Sequence, residues 1–203
     1  MLPPEFFDRG PRTVARALLG TVLRRRYKKH WLSVRIVETE AYEKREKGSH
    51  ASLGRTPSRE ALFMAPGTIY MYYSRAGDSL NVSCRGEGNA VLIKAGAPYI
   101  DGRSPRSTLR VMHRLNPRRD GGARDELRLC SGQTLLCKAL DLRVKEWTGK
   151  RFTRAFHIED VGDRPSEVLR RPRLGIPEGR DEHLPWRYID GRFRAQTTLP
   201  RSV

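Results

Sequence analysis

Glu38, Glu40 and Tyr42 recur at every second position of the run Arg35-Ile-Val-Glu-Thr-Glu-Ala-Tyr42, and His50 stands eight residues further on. Side chains alternate along an extended strand, so these three share one face, and β-branched Ile36 and Val37 stiffen its start. A carboxylate beside an aromatic ring loses water, which raises its pKa toward the range useful for a general base. Two other readings fit the same residues. A short Glu-x-Glu also suits solvated carboxylates on an edge strand. Glu38, Glu40 and His50 could instead be oxygen and nitrogen ligands of a metal, although no further carboxylate follows at a defined spacing.

A second group is aromatic. In Thr68-Ile-Tyr-Met-Tyr-Tyr73 the alternation sets Tyr70 and Tyr72 on one face and Tyr73 on the other, with Ser74-Arg75 directly after. Core packing accounts for at least one of these rings. A tyrosine paired with Tyr42 would form a slot for a planar base, worth about 1–3 kcal/mol per stacked base.

Charge narrows the partner. Lys and Arg number 40 against 23 Asp and Glu, a formal charge of +17. Such an excess repels itself in a compact state unless a polyanion is near. DNA or RNA would supply one, with counterion release driving association. A membrane surface is the competing anion. Against it, there is no apolar run of spanning length, no signal-peptide segment after Met1, and no single amphipathic helix that gathers the basic residues. The basic clusters are Arg24-Arg25-Arg26 with Lys28-Lys29, Arg103 to Arg119, and Arg170-Arg171 with Arg173. Each reads as a solvated surface or as a contact. Cys84, Cys130 and Cys137 lack CxxC spacing and read as reduced, partly buried thiols. His30, His113, His157 and His183 have no distinguishing spacing and read as structural.

The elements that must position these residues are short. Apolar Val14 to Leu19 reads as helix, ended by Gly20 at C′. Thr21 to Tyr27 and Leu32 to Tyr42 read as strands joined by a turn around Lys28-Lys29-His30. Glu43 to Arg59 reads as a loop. Thr68 to Tyr73 and Ser79 to Cys84 read as strands with Ala76-Gly77-Asp78 turning between them, and Ala90 to Ala95 as a buried strand. Ser131 would cap a helix reaching Leu140, with Leu135, Leu136, Ala139 and Leu140 as its stripe. Arg171 to Val203 returns to strand-like pieces. At 203 residues, with 37% apolar residues, the default is one α+β domain spanning 1–203.

Taken in order, the motifs resemble the alkyladenine (3-methyladenine) DNA glycosylase family, the methylpurine type. The matching segments are the Arg35–Tyr42 run, His50-Ala-Ser, Arg55-Thr-Pro57, Leu62-Phe-Met-Ala-Pro-Gly67 and Ile69-Tyr-Met-Tyr72. They continue with Leu80-Asn-Val-Ser83, Ala90-Val-Leu-Ile-Lys94, Leu129-Cys-Ser-Gly132, Leu136-Cys-Lys-Ala-Leu140, Arg173-Leu-Gly-Ile176 and Pro185-Trp-Arg-Tyr-Ile189. The resemblance implies a compact α+β domain with a curved, mostly antiparallel sheet and surrounding helices. It also implies a monofunctional hydrolase of base-excision repair that flips alkylated or deaminated purines and leaves an abasic site.

Role by role, the resemblance makes Glu40 the base that activates water. Tyr42 and Tyr72 become stacking walls, His50 a hydrogen-bonding wall, and Asn81 the floor residue that disfavours guanine. Lys94 falls where the family has a water-holding arginine, Leu92 near lesion-flanking DNA, and Ile176 where a backbone carbonyl meets base and water. Three departures stand out. Lysine at 94 lacks the guanidinium fork. The hairpin after Tyr72 is short, with no aromatic at the family's wedge, so Arg75 or Ser74 would fill the gap left by an extruded nucleotide. Ser131-Gly132-Gln133 lacks a customary proline. The implied partner is double-stranded DNA with damaged purines, met by a monomer without metal or organic cofactor, in a bacterial cytoplasm or a eukaryotic nucleus. The alternative from another class is a basic, non-catalytic nucleic-acid-binding protein.

Overall fold

Pro11 opens the first helix, α1 (Pro11–Leu18), where its missing N–H would have no partner in any case. Val14, Ala15 and Leu18 form the buried stripe of α1. The helix stops as expected before Gly20, which has φ +86° and lies so close to the Asp163 carbonyl that a Cβ would sit 2.4 Å from its oxygen. The computed structural model describes residues 1–74 and 77–198.

Strands β1 (Val22–Tyr27) and β2 (His30–Tyr42) close on each other with Tyr27 opposite His30, through a turn in which Lys28 has φ 53°. They are followed by β3 (Ile69–Ser74), β4 (Gly77–Ser83), β5 (Ala90–Pro98), β6 (Phe156–Glu159), β7 (Val168–Arg171) and β8 (Arg187–Asp190). Every pairing is antiparallel. The order is β3-β4-β5-β2-β1-β6, with β8 on β2 and β7 on β8. This is the α+β class expected.

The long strand β2 changes neighbours along its length. Its first residues pair with β1 alone, Val34 and Arg35 lie between β1 and β5, and Glu38 to Glu40 lie between β5 and β8. The register with β5 shifts on both sides of Glu38. Such bulges bend a strand and re-aim its side chains.

Alternation then separates two faces. Ile36, Ala41, Ile69, Met71, Val91 and Ile93 enter the main core with α1 and with α3 (Gln133–Ala139). Fully burying each aliphatic side chain of this kind stabilises the fold by about 1.5–3 kcal/mol. Tyr70 and Ala90 turn the other way and join Ala51, Ala61 and Leu62, with Tyr72 packed against them. That smaller cluster underlies the cleft.

Three sequence expectations need correction. Gly77 and Asp78 do not form the turn; they pair with Ser74 and Tyr73 inside the hairpin. Gly77 has φ +129°, and a Cβ there would meet the Thr134 methyl at 2.9 Å, so close packing on α3 explains this glycine. Ser131 does not cap α3. Gly132 stands at the cap, and the Ser131 hydroxyl donates to the Thr197 carbonyl at 2.7 Å. Leu135 leaves the helix stripe and lines the cleft instead. The stretch read as loop after Tyr42 carries two 3-10 turns, His50–Leu53 and Pro57–Phe63. The three cysteines are free and buried, and burial pushes their thiols up. Among the described residues no helix is long and apolar enough to cross a membrane.

Candidate active site

A cleft of about 1450 Å³ opens over the second half of β2, and Tyr42, His50, Tyr72, Ser74, Asn81, Leu92, Lys94 and Ile176 all line it. Residues expected to act together from positions scattered across the sequence thus converge, because β3, β4, β5 and β2 are adjacent in the sheet. Arg75 lies outside the described residues.

Glu40 lies just beneath the floor. Its side chain is fully buried, yet three donors meet its carboxylate. The Tyr42 hydroxyl donates to Oε2 at 2.7 Å, the Leu174 N–H donates to Oε1 at 3.1 Å, and Lys94 Nζ lies 3.3 Å from Oε1. Burial, and then the Glu40 charge, hold the Tyr42 hydroxyl well above its ordinary pKa, so it remains a donor.

Glu38 is engaged separately. It pairs with Arg187 at 2.5 Å and accepts from the Thr198 N–H at 2.7 Å, while burial raises its pKa. Glu38 and Glu40 are therefore neither solvated nor gathered with His50, and among the described residues no group of three metal-type ligands forms.

The aromatic walls are held from behind. Tyr70 and Tyr72 stack at 5.8 Å between ring centroids, and His50 meets the Tyr72 ring edge-on at 4.4 Å. His50 Nδ1 is 3.0 Å from the Tyr70 hydroxyl. Burial, followed by the Arg59 and Arg180 charges, pushes the imidazole below its ordinary value. Among the described residues the Tyr42 and Tyr72 rings make no ring contact with each other, which leaves a gap between two aromatic walls. The Asn81 amide donates to Tyr70 O at 3.2 Å. Leu92 is 1% exposed and belongs to the floor.

Several residues escaped the sequence reading. Arg173 stood in a basic cluster and at the head of the Arg173–Ile176 motif without a role of its own, but its guanidinium is buried. It pairs through both nitrogens with Glu46 (2.5 Å at Nη2) and donates to Ala41 O at 3.1 Å. Arg24, another cluster member, is clamped between Asp101 and Glu159. The cleft rim carries Arg118, Arg119, Arg124, Lys138 and Arg180, and Gln133 enters it with its amide 2.7 Å from Ser79 Oγ. Tyr73 also lines the cleft and is 61% exposed at the hairpin. Arg118 and Arg119 belong to a basic run, and Tyr73, Gln133 and Lys138 stand in segments the sequence reading had singled out, on β3 and α3; Arg124 and Arg180 had no such signal.

A buried carboxylate with ordered donors thus lies under aromatic walls and a cationic rim on an antiparallel α+β scaffold. Residues 5–192 match the family described as methylpurine-DNA glycosylase. A Pseudomonas aeruginosa (strain UCBPP-PA14) protein named "Putative 3-methyladenine DNA glycosylase" is 56% identical over 198 residues, covering 97% of this chain and 83% of the relative. A protein of the same name from Pseudomonas savastanoi pv. phaseolicola (strain 1448A / Race 6) is 52% identical, covering 98% and 92%. One from Methanocella arvoryzae (strain DSM 22066 / NBRC 105507 / MRE50) is 35% identical, covering 94% and 92%. The chain belongs to the methylpurine-DNA glycosylase family and is a DNA glycosylase of base-excision repair.

Proposed function

We propose that the chain excises 3-methyladenine and related alkylated or deaminated purines from duplex DNA, with Glu40 activating the attacking water. The observation that carries this reading is the set of donors on Glu40: Tyr42, Leu174 and Lys94 hold the carboxylate at the base of the slot. A carboxylate accepts about four hydrogen bonds, so one position remains for a water.

The damaged base must first leave the stack, which costs a few kcal/mol. It then enters between Tyr42 and Tyr72, where the tyrosine faces favour a cationic alkylpurine. His50 and Asn81 meet its polar edge, and Ile176 closes the pocket through its backbone. Water attacks C1′ and a C–O bond forms. Its proton passes to Glu40, and the C1′–N bond breaks with its electron pair leaving on the purine. A neutral base such as hypoxanthine needs a proton to leave in the same way, so its excision depends more on pH.

The side chain that fills the vacated stack comes from the β3–β4 hairpin. Tyr73 joins Ser74 and Arg75 as a candidate because its ring is already exposed. The protein acts as a monomer on damaged DNA, in the cytoplasm at the nucleoid if bacterial or in the nucleus if eukaryotic.

The test is excision, with chelator present, from a duplex carrying one hypoxanthine or alkylpurine, read by alkaline strand cleavage. Breakage at the lesion favours an enzyme over a non-catalytic nucleic-acid binder. Glu40→Gln should lower release of a neutral lesion by about 10²–10⁴-fold while damaged DNA is still bound. Near-normal turnover by that variant would reject Glu40 as the base.

A further inference from the structure

A second concavity, of about 340 Å³, shares no lining residue with the cleft. It sits where β1 and β6 end the sheet, whereas the hairpin of the cleft, β3–β4, ends the opposite edge. Arg26 comes from β1, Trp31 from β2, Arg103 from the loop after β5, and Arg154 and His157 from β6 and the segment before it.

Three arginines thus line one pocket, and no acidic residue does. Among the described residues neither Arg26 nor Arg154 has a carboxylate partner. Arg103 reaches Glu159 only at 3.9 Å, and that carboxylate is already engaged by Arg24. Like charges without counter-charges repel, so the arrangement favours an anion.

Two aromatic contacts order the site. The Arg103 guanidinium lies 3.9 Å from the Trp31 ring centroid, which fixes one donor fork at the rim. His157 meets Trp31 edge-on at 5.7 Å, is 5% exposed, and keeps its Nδ1 buried without a partner. Burial, followed by the Arg103 charge, pushes this imidazole down, in keeping with a strongly positive pocket.

We infer that this pocket binds a phosphate group at a second anion site, separate from the cleft. Guanidinium forks match the oxygens of a phosphate in pairs, and the volume falls at the small end of ligand sites, about 300–1,000 Å³. The phosphate has two possible sources: a phosphodiester of a nucleic-acid strand, or the monoester of a free nucleotide. This inference does not depend on excision chemistry.

The experiment follows the Trp31 indole N–H by NMR in the full chain during titration with inorganic pyrophosphate, dAMP, and a short undamaged DNA strand. A saturating shift with at least one probe is expected, weakened about tenfold or more in Arg26→Gln/Arg154→Gln. Saturation with pyrophosphate and dAMP identifies a monoester as ligand, and saturation with the strand alone identifies a phosphodiester; either supports the site. No saturation with any probe overturns it, as does an unchanged titration in the double variant. Both substituted arginines are exposed, and the rate of excision at saturating enzyme should stay as in the parent, so failure here is distinguishable from failure of the glycosylase reading.

Discussion

The Arg173 guanidinium lies 4.6 Å from the centre of the Tyr42 ring, and the next residue, Leu174, donates its N–H to Glu40. One segment therefore supports a wall of the slot and orients the carboxylate. Glu46 holds Arg173 in place, and the Lys47 N–H reaches Asp181 Oδ2 at 2.7 Å, so the loops carrying His50 and Ile176 are tied together.

Removing one partner of this buried pair should be costly. Arg173→Ala leaves Glu46 uncompensated, and a loss on the order of 3–5 kcal/mol is expected in urea unfolding. Arg173→Lys keeps the charge without the fork and should fall between the two. A variant as stable as the parent would show that the pair holds nothing together.

Lys94 invites a different question, since an amine near the sugar could attack it. Its Nζ is instead paired with Glu40 at 3.3 Å. Borohydride added during turnover should trap no protein–DNA adduct. A trapped adduct would reassign Lys94 as a nucleophile and add strand-cleaving chemistry to the activity.

His50 gives stability a pH dependence. Its folded pKa lies below the ordinary value of about 6.5, so the unfolded chain binds the proton more readily, and stability falls as pH falls through that value. His157 acts in the same direction. The urea midpoint of His50→Gln should therefore drop less than that of the parent between about pH 7.5 and about pH 5.5. Parallel curves would assign the dependence elsewhere.

Tyr73 offers a test of how the stack is filled. Its ring is 61% exposed, so Tyr73→Ser should barely change stability. If the ring replaces an extruded nucleotide, losing about 1–3 kcal/mol of stacking slows excision from duplex roughly tenfold to a hundredfold. A lesion in a single strand needs no such replacement and should be released at the parent rate. An equal loss on both substrates points to a defect in the pocket instead.

Much of the fold can be read directly from the chain. Period-two alternation in Thr68–Tyr73 and Ala90–Lys94 determines which side chains face the core, because a strand has only two faces, whereas in Arg35–Tyr42 the register shifts at Glu38 break the period and bring Ile36 and Ala41 into the same core. Gly20 ends α1 through its backbone freedom, as read, whereas the helix starts at Pro11, a turn earlier than the apolar stretch from Val14 indicated. The hairpin turn and the α3 cap were misread for a shared reason. Gly77 and Ser131 look like turn and cap residues locally, but contacts with Thr134 and Thr197, distant in sequence, decided their places.

Residue types and local period by themselves pointed to Glu40, Tyr42 and Tyr72, and the order of motifs, through the resemblance, added His50, Asn81 and Lys94 as candidates at the slot. Tertiary structure alone decided that Glu40 lies under the floor with three donors, that Glu38 belongs to Arg187, and that two arginines of the basic clusters are buried clamps. Alternation is a local property of the chain. Which charge meets which across more than a hundred residues depends on the order of strands and the packing of loops, and no short window of sequence contains that.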